Sequence, residues 1–138
     1  MTGHLVLSTL HTNDAVSTVT RLLDLGIPRY VVASTVAGII AQRLVRQICQ
    51  RCSGFTRNPV TRKEMSRVNG DCPFCRNEGY SGRIGLFEVL PFTDALRDLV
   101  ASGEPEGAIR KCSLSEGMTT LMMDGFRKIE KGQTTQEE

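Results

Sequence analysis

The chain opens with alternating stretches of apolar and polar residues that predict a strand followed by a helix. Residues His4–Leu10 form a mostly apolar run of strand length, which predicts a buried strand of the kind found in parallel sheets. From Val16 to Leu23, apolar side chains recur at intervals of three and four, which is typical of a helix with one buried face. Asn13 or Asp14 is suited to cap the start of this helix, and Gly26 to close it.

The next apolar segments predict one helix and two strands. The helix begins with proline at its first position, Pro28, and runs to about Gly38. It is apolar on nearly all sides, so we expect it to be well buried. Residues Gln42–Ile48 predict a short strand that leads into a cysteine, and residues Gly82–Pro91 predict a second strand.

After Thr93 the pattern becomes helical three times. Gly103 and Gly132 follow the first and third of these segments and are expected to end them. The expected buried faces are Leu96, Leu99 and Val100 in the first helix, Ala108, Ile109 and Cys112 in the second, and Leu121, Met122, Phe126 and Ile129 in the third. Residues 133–138 are polar and are expected to form a disordered tail.

Composition places the chain among globular proteins. Of its 138 residues, 40% are hydrophobic and 23% are charged, with a formal net charge of +2, which does not fit a disordered or membrane-spanning protein. The longest uncharged, largely apolar stretch, Tyr30–Gln42, is shorter than the ~20 residues needed to span a bilayer. With 5% aromatic residues and no tryptophan, the core is expected to be aliphatic.

Four of the five cysteines have a spacing typical of a metal site. Cys49 and Cys52 form one C-x2-C pair, and Cys72 and Cys75 form another. Two such turns complete a tetrahedral shell of four thiolates, which suits Zn²⁺, and a shell closed by four protein ligands is structural rather than catalytic. The alternatives are two disulfides or four unrelated buried thiols. No secretory signal opens this sequence, so we expect a reducing compartment, which disfavours disulfides.

The segment around these cysteines is basic. Between Cys49 and Arg83 there are seven basic and three acidic residues, which leaves open a zinc-knuckle module that binds nucleic acid. That alternative is weakened because the segment has only three aromatic residues for stacking and because the zinc thiolates offset part of the charge. Residues Thr61–Val68 are expected to form one short helix between the knuckles.

The two histidines flank the first predicted strand. In an extended strand His4 and His11 would lie ~23 Å apart, so they cannot share one metal or substrate atom. His11 is at the carboxyl end of that strand, where α/β sheets place their ligands, although a polar strand end without a function fits equally well. The sequence contains no G-x-x-x-x-G-K-[ST] phosphate loop. Nothing in the pattern therefore indicates an independent catalytic site.

Several ordered motifs resemble one family. Residues Thr2–Asn13 look like the histidine box of the ATPases of type II secretion and type IV pilus systems, and Ala41–Arg46 resembles the segment before that family's tetracysteine motif. The cysteine pairs are followed by Gly79-Tyr80-x-Gly82-Arg83-x-Gly85-x-x-Glu88, similar to the zinc motif of its GspE-type and PilB-type branches. The resemblance covers residues 2–132.

The resemblance implies an α/β fold. Residues 1–48 would be a truncated C-terminal part of a RecA-like parallel-sheet domain with the histidine box. Residues 49–82 would be a tetracysteine zinc subdomain, residues 83–132 a strand plus a helical C-terminal subdomain, and residues 133–138 the tail. His4 and His11 would be the box histidines near the γ-phosphate and the subunit interface.

The same resemblance implies a function and partners. The family consists of hexameric cytoplasmic motors, peripheral to the inner membrane, that hydrolyse ATP to assemble a pilus or pseudopilus through an inner-membrane platform and cytoplasmic assembly proteins. Its Walker A and Walker B motifs precede the histidine box and have no counterpart in this sequence. Phosphoryl transfer needs those groups together, so we expect the chain alone to be inactive, with ATP and Mg²⁺ bound only in a full-length parent.

Overall fold

The computed structural model describes residues 3–52 and 72–138, which form five helices and two strands. The order is α1 (Ala15–Asp24), α2 (Arg29–Thr35), β1 (Gly38–Ile48), β2 (Tyr80–Pro91), α3 (Asp94–Ser102), α4 (Glu106–Ser115) and α5 (Leu121–Glu130). The short helix predicted for Thr61–Val68 lies outside the described residues. Among the residues described, no helix is both long enough and apolar enough to cross a membrane.

The two strands pair as an antiparallel stem. The Phe92 N–H donates to the carbonyl of Ala37, which precedes β1, and the Cys49 N–H donates to the carbonyl of Gly79, which precedes β2. The start of β1 therefore lies beside the end of β2, and its end beside the start of β2. Both predicted strands are confirmed, and β1 begins earlier than expected, at Gly38.

The chain divides into two compact units, and both strands contribute residues to each. The first comprises Met1–Ala41 and Val89–Met118, and the second comprises Gln42–Glu88 and Thr119–Glu138. In the first unit α2 packs on α3, α4 on both α1 and α3, and α1 on α2. Its core is aliphatic apart from Phe92, in line with the composition-based expectation. It is formed by Ala15, Val16, Val19, Val32, Ala33, Leu90, Phe92, Leu96, Val100, Ile109 and Met118.

In the second unit, side chains of α5 and β2 hold the two elements together. The Asp124 carboxylate accepts the backbone N–H of Phe87 at 2.9 Å, and the Lys128 ammonium donates to the Gly85 carbonyl at 2.7 Å. The buried carboxylate of Glu88 accepts the N–H of Leu121, the first residue of α5, at 3.2 Å. These bonds occupy backbone groups of β2 and of the helix start that would otherwise need water.

The strand predicted for His4–Leu10 is wrong. Residues 3–12 contain no helix or strand, and Leu5, Val6 and Leu7 are 82%, 79% and 88% exposed. An apolar run becomes a strand only when it pairs with a neighbouring strand, and the sheet formed by the described residues consists of β1 and β2. The predicted second helix is present, but it is shorter and less buried than expected: α2 ends at Thr35 rather than at about Gly38, and Tyr30 is 71% exposed.

The disordered tail predicted for residues 133–138 is corrected as well. Thr134 and Thr135 are buried, and Glu138 pairs with Arg46 of β1. Polar side chains order this segment through hydrogen bonds rather than through apolar burial, which a hydropathy pattern does not register.

Candidate metal centre

The four cysteines predicted as ligands come together at the end of the β1–β2 stem. Their Sγ atoms all lie within 4.8 Å of one another. Cys49, Cys72 and Cys75 are buried and Cys52 is half-buried, and none forms a disulfide. The disulfide alternative is therefore not the arrangement found, and the cluster could hold a metal ion.

The sulfur spacing fits a tetrahedral ion. The Sγ atoms of Cys49 and Cys72 are 4.0 Å apart, and those of Cys52 and Cys75 are 3.6 Å apart. A tetrahedron with metal–sulfur bonds of ~2.3 Å has edges of ~3.8 Å, and the two observed distances bracket this value. Four thiols with these two spacings could therefore hold a metal ion.

Each C-x2-C turn, here called a knuckle (Cys49–Cys52 and Cys72–Cys75), directs backbone N–H groups at the sulfur of its first cysteine. The N–H groups of Cys52 and Arg51 hydrogen-bond to the Cys49 sulfur and lower the pKa of that thiol. The N–H groups of Cys75 and Phe74 do the same for Cys72 and lower its pKa to about 7. Both shifts favour the thiolate, which is the form that binds metal.

The pKa of Cys52 is shifted in the opposite direction. Burial, followed by hydrogen bonds with the other thiols of the cluster, raises the pKa of Cys52 to about 12. Four thiolates at this spacing repel one another, so full ionisation of the cluster requires a cation among them.

Residues beyond the four cysteines hold the knuckles in place. The Asn77 side chain accepts the backbone N–H of Cys72 at 2.7 Å, and the Glu78 N–H donates to the Cys75 carbonyl at 2.9 Å. Arg76 and Asn77 have φ values of 50° and 66°, in the left-handed region where asparagine is favoured among non-glycine residues. Our sequence reasoning missed Asn77, although an asparagine just after a C-x2-C turn was the available signal.

The Arg51 guanidinium lies over the Phe74 ring, 4.7 Å from its centroid, and so links the two knuckles through the third residue of each. Of the segment's expected basic residues, Arg57, Arg62, Lys63 and Arg67 lie outside the described part of the chain.

The two histidines belong to the other unit. His4 and His11 are both exposed, in the segment without regular structure that precedes α1. Asp14 caps that helix as predicted, and Thr12 hydrogen-bonds Thr18 at 2.7 Å, so the residues following His11 are fixed to α1.

Comparison with known proteins gives a consistent result. A family model described as "Type II/IV secretion system protein" matches residues 1–138. The chain is 46% identical over 138 residues to the type II secretion system protein HxcR of Pseudomonas aeruginosa, covering 100% of this chain and 28% of HxcR. It is 40% identical over 152 residues to the type IV pilus assembly ATPase PilB of Myxococcus xanthus, covering 100% of this chain and 27% of PilB.

Among solved structures, the chain resembles the crystal structure of the pilus retraction motor PilT with bound ADP. The TM-score is 0.62 at 24% identity, over 99% of this chain and 31% of that chain. This likeness confirms the predicted α/β fold. The chain spans less than a third of the length of these relatives, and none of them favours the alternative of a nucleic-acid-binding module.

Proposed function

Because the chain belongs to the type II/IV secretion system protein family, we propose that it is the C-terminal portion of an ATPase that drives secretion or pilus assembly. The match of the family model to all 138 residues carries this proposal. The whole motor would be a hexamer at the cytoplasmic face of the inner membrane, in contact with a membrane platform and cytoplasmic assembly proteins.

Within that motor this portion would contribute three elements. Residues 1–48, the remnant of the ATPase domain, would supply His4 and His11 near the γ-phosphate and the subunit interface. Residues 49–82 would form a zinc subdomain, and residues 83–132 a strand and helices. The exposure of both histidines supports a role at a surface that a nucleotide or another subunit covers.

The metal would be structural Zn²⁺ held by Cys49, Cys52, Cys72 and Cys75. The sulfur spacing and the N–H groups directed at the first cysteine of each pair support this assignment. When bound, the ion would fix the loop at the end of the stem. Four protein ligands leave it no open position for chemistry.

Exchange of the matching segment of HxcR for this chain tests the motor assignment. We expect the chimera to hydrolyse ATP, and His11→Ala or His4→Ala within it to lower kcat. Lys111→Ala, on the exposed side of α4, serves as the control and should leave the rate unchanged. A chimera that folds and binds ATP but is equally active with and without both histidines would contradict their proposed role.

Metal analysis of the chain purified without chelator tests the zinc assignment. We expect one Zn per chain, lost in Cys49→Ser and Cys72→Ser. Cys112, the fifth cysteine, is free and half-buried in α4, so Cys112→Ser is the matched control and should retain the metal. Well under one Zn in the unaltered chain would refute the assignment.

A further inference from the structure

Residues 133–135, near the end of the chain, contact both strands at the end of the stem where the four cysteines lie. The N–H of Ile48, the final residue of β1, donates to the Gln133 carbonyl at 2.9 Å. The hydroxyl of Tyr80, the first residue of β2, is hydrogen-bonded to Thr135 Oγ1 at 2.8 Å. Thr135 is only 5% exposed, so this bond is shielded from water. Residues 133–135 therefore bridge the two sides of the stem.

The contacts with β1 use the edge of that strand that faces away from β2. Along a strand, successive backbone groups point to alternate sides, and the Cys49 N–H points to β2. The N–H groups of Arg46 and Ile48 therefore point the other way. The Arg46 N–H donates to Glu138 Oε2 at 3.0 Å, and Thr134 Oγ1 donates to the Arg46 carbonyl at 2.8 Å. The tail thus satisfies three neighbouring backbone groups on this edge of β1.

A side-chain stack adds a third connection between the tail and the stem. The Arg46 guanidinium lies 4.3 Å from the centroid of the Tyr80 ring, and its Nε donates to Glu138 Oε1 at 2.8 Å. One cation therefore contacts β2 on one side and the tail on the other.

We propose that residues 133–138 are a clasp that positions the metal ligands, with Thr135 and Gln133 as positioning residues for the zinc centre; this inference rests on the proposed structural zinc. Cys49 follows Ile48 directly, and its N–H is bonded to Gly79, the neighbour of Tyr80. Among the described residues, the buried cluster at the cysteines consists of the cysteines themselves. The spacing of the stem at its loop end is therefore set by hydrogen bonds rather than by apolar packing, and the clasp supplies several of them.

Zinc release into an excess of a chromogenic chelator measures the effect. Thr135→Val and Tyr80→Phe each remove one partner of the same hydrogen bond while conserving shape. We expect each to speed release by about three- to tenfold, and the double variant to add little beyond either single change. Thr35→Val, at an exposed threonine of α2 in the other unit, is the control and should leave the release rate unchanged.

Amide hydrogen exchange of a chain shortened to residues 1–132 provides a readout independent of metal. We expect the N–H groups of Arg46 and Ile48 to exchange at least tenfold faster, whereas the N–H of Gln47, which faces β2, keeps its rate. We also expect this shortened chain to release zinc faster than either point variant.

The outcomes separate the clasp from the zinc assignment. If the unaltered chain holds one Zn and Thr135→Val and Tyr80→Phe release it at the same rate as the unaltered chain, the tail only covers the strand edge and the clasp is refuted. Faster release in Tyr80→Phe alone would also refute it, because the effect would then come from another contact of the tyrosine. Well under one Zn in the unaltered chain would instead refute the proposed zinc centre, and the clasp with it.

Discussion

Replacement of Asp14 by alanine tests the electrostatic connection between α1 and α4. Asp14 Oδ1 accepts the N–H of Ser17 at 2.7 Å, and the Ser17 hydroxyl accepts the Asp14 N–H, which completes a capping box. Asp14 Oδ2 accepts from Arg110 Nη2 at 2.9 Å, and the same nitrogen also donates to Glu106 at 2.8 Å. One carboxylate therefore caps α1 and pairs with a cation of α4.

The two roles have separable magnitudes. Loss of an N-cap costs about 1 kcal/mol, within a range of about 0.5–2 kcal/mol. A partly exposed ion pair contributes about 0.2–1 kcal/mol. Together these ranges predict that Asp14→Ala lowers the free energy of unfolding by about 0.7–3 kcal/mol. Asp14→Asn, which retains a good cap and loses only the charge, should cost less than about 1 kcal/mol.

The ion pair also predicts a dependence on pH. Burial alone would raise the pKa of Asp14, but the hydrogen bonds from the Ser17 N–H and Arg110 outweigh it, so the pKa lies below its ordinary value of 3.8. The unfolded carboxylate takes up its proton first as the pH falls. The stabilisation is therefore complete well above pH 3.8 and is lost as the pH falls through the lower, folded-state pKa.

Urea unfolding followed by circular dichroism measures all three forms at about pH 6 and about pH 2.5. We expect the difference between the unaltered chain and Asp14→Asn to shrink at the lower pH. An Asp14→Asn variant that loses as much stability as Asp14→Ala at pH 6 would show that the cap contributes nothing. A difference independent of pH would show that the ion pair does not act as described.

Three further perturbations have defined expectations. Removal of the proposed Zn²⁺ with a strong chelator should speed amide exchange around the four cysteines. It should leave the helices of the first unit protected, because the cores of the two units consist of different residues, and equal loss of protection in both units would contradict this. Gly103 ends α3 with φ of +80°, and a Cβ at this position would lie 1.4 Å from Nη1 of Arg29. Gly103→Ala should therefore lower the free energy of unfolding, measured with urea, by about 1–2 kcal/mol. Addition of Arg29→Ala should recover only part of this loss, because the backbone strain remains. Leu96→Ala should cost about 2–5 kcal/mol because Leu96 is fully buried, whereas Leu114→Ala, at a side chain 40% exposed, should cost less than about 1 kcal/mol in the same assay.

The features that depend on local sequence were predictable. The cap at Asp14, the end of α3 at Gly103 and the gathering of the cysteines all follow from residue type and spacing, and the structure has them. Each of these features is decided within a few residues by backbone conformation or by the reach of a thiol.

The features that depend on a distant partner were not predictable. The run from Leu5 to Leu10 has the composition of a strand, but it is not paired with either strand of the described sheet, and its apolar residues are exposed. Residues 133–138 were expected to be disordered but are ordered, because they are held by Arg46, Ile48 and Tyr80, which lie far away in sequence. The N–H groups directed at Cys49 and Cys72 depend on turn geometry that the spacing alone does not specify.

The placement of the two tyrosines has a spectroscopic consequence. The chain has no tryptophan, and each compact unit contains one tyrosine: Tyr30 in the first unit and Tyr80 in the second. Tyr30 is 71% exposed, whereas Tyr80 donates or accepts a bond with Thr135 and stacks on a guanidinium. In a Tyr30→Phe chain, intrinsic tyrosine emission therefore comes from the base of the cysteine loop alone, and it reports the opening of that base without any attached dye.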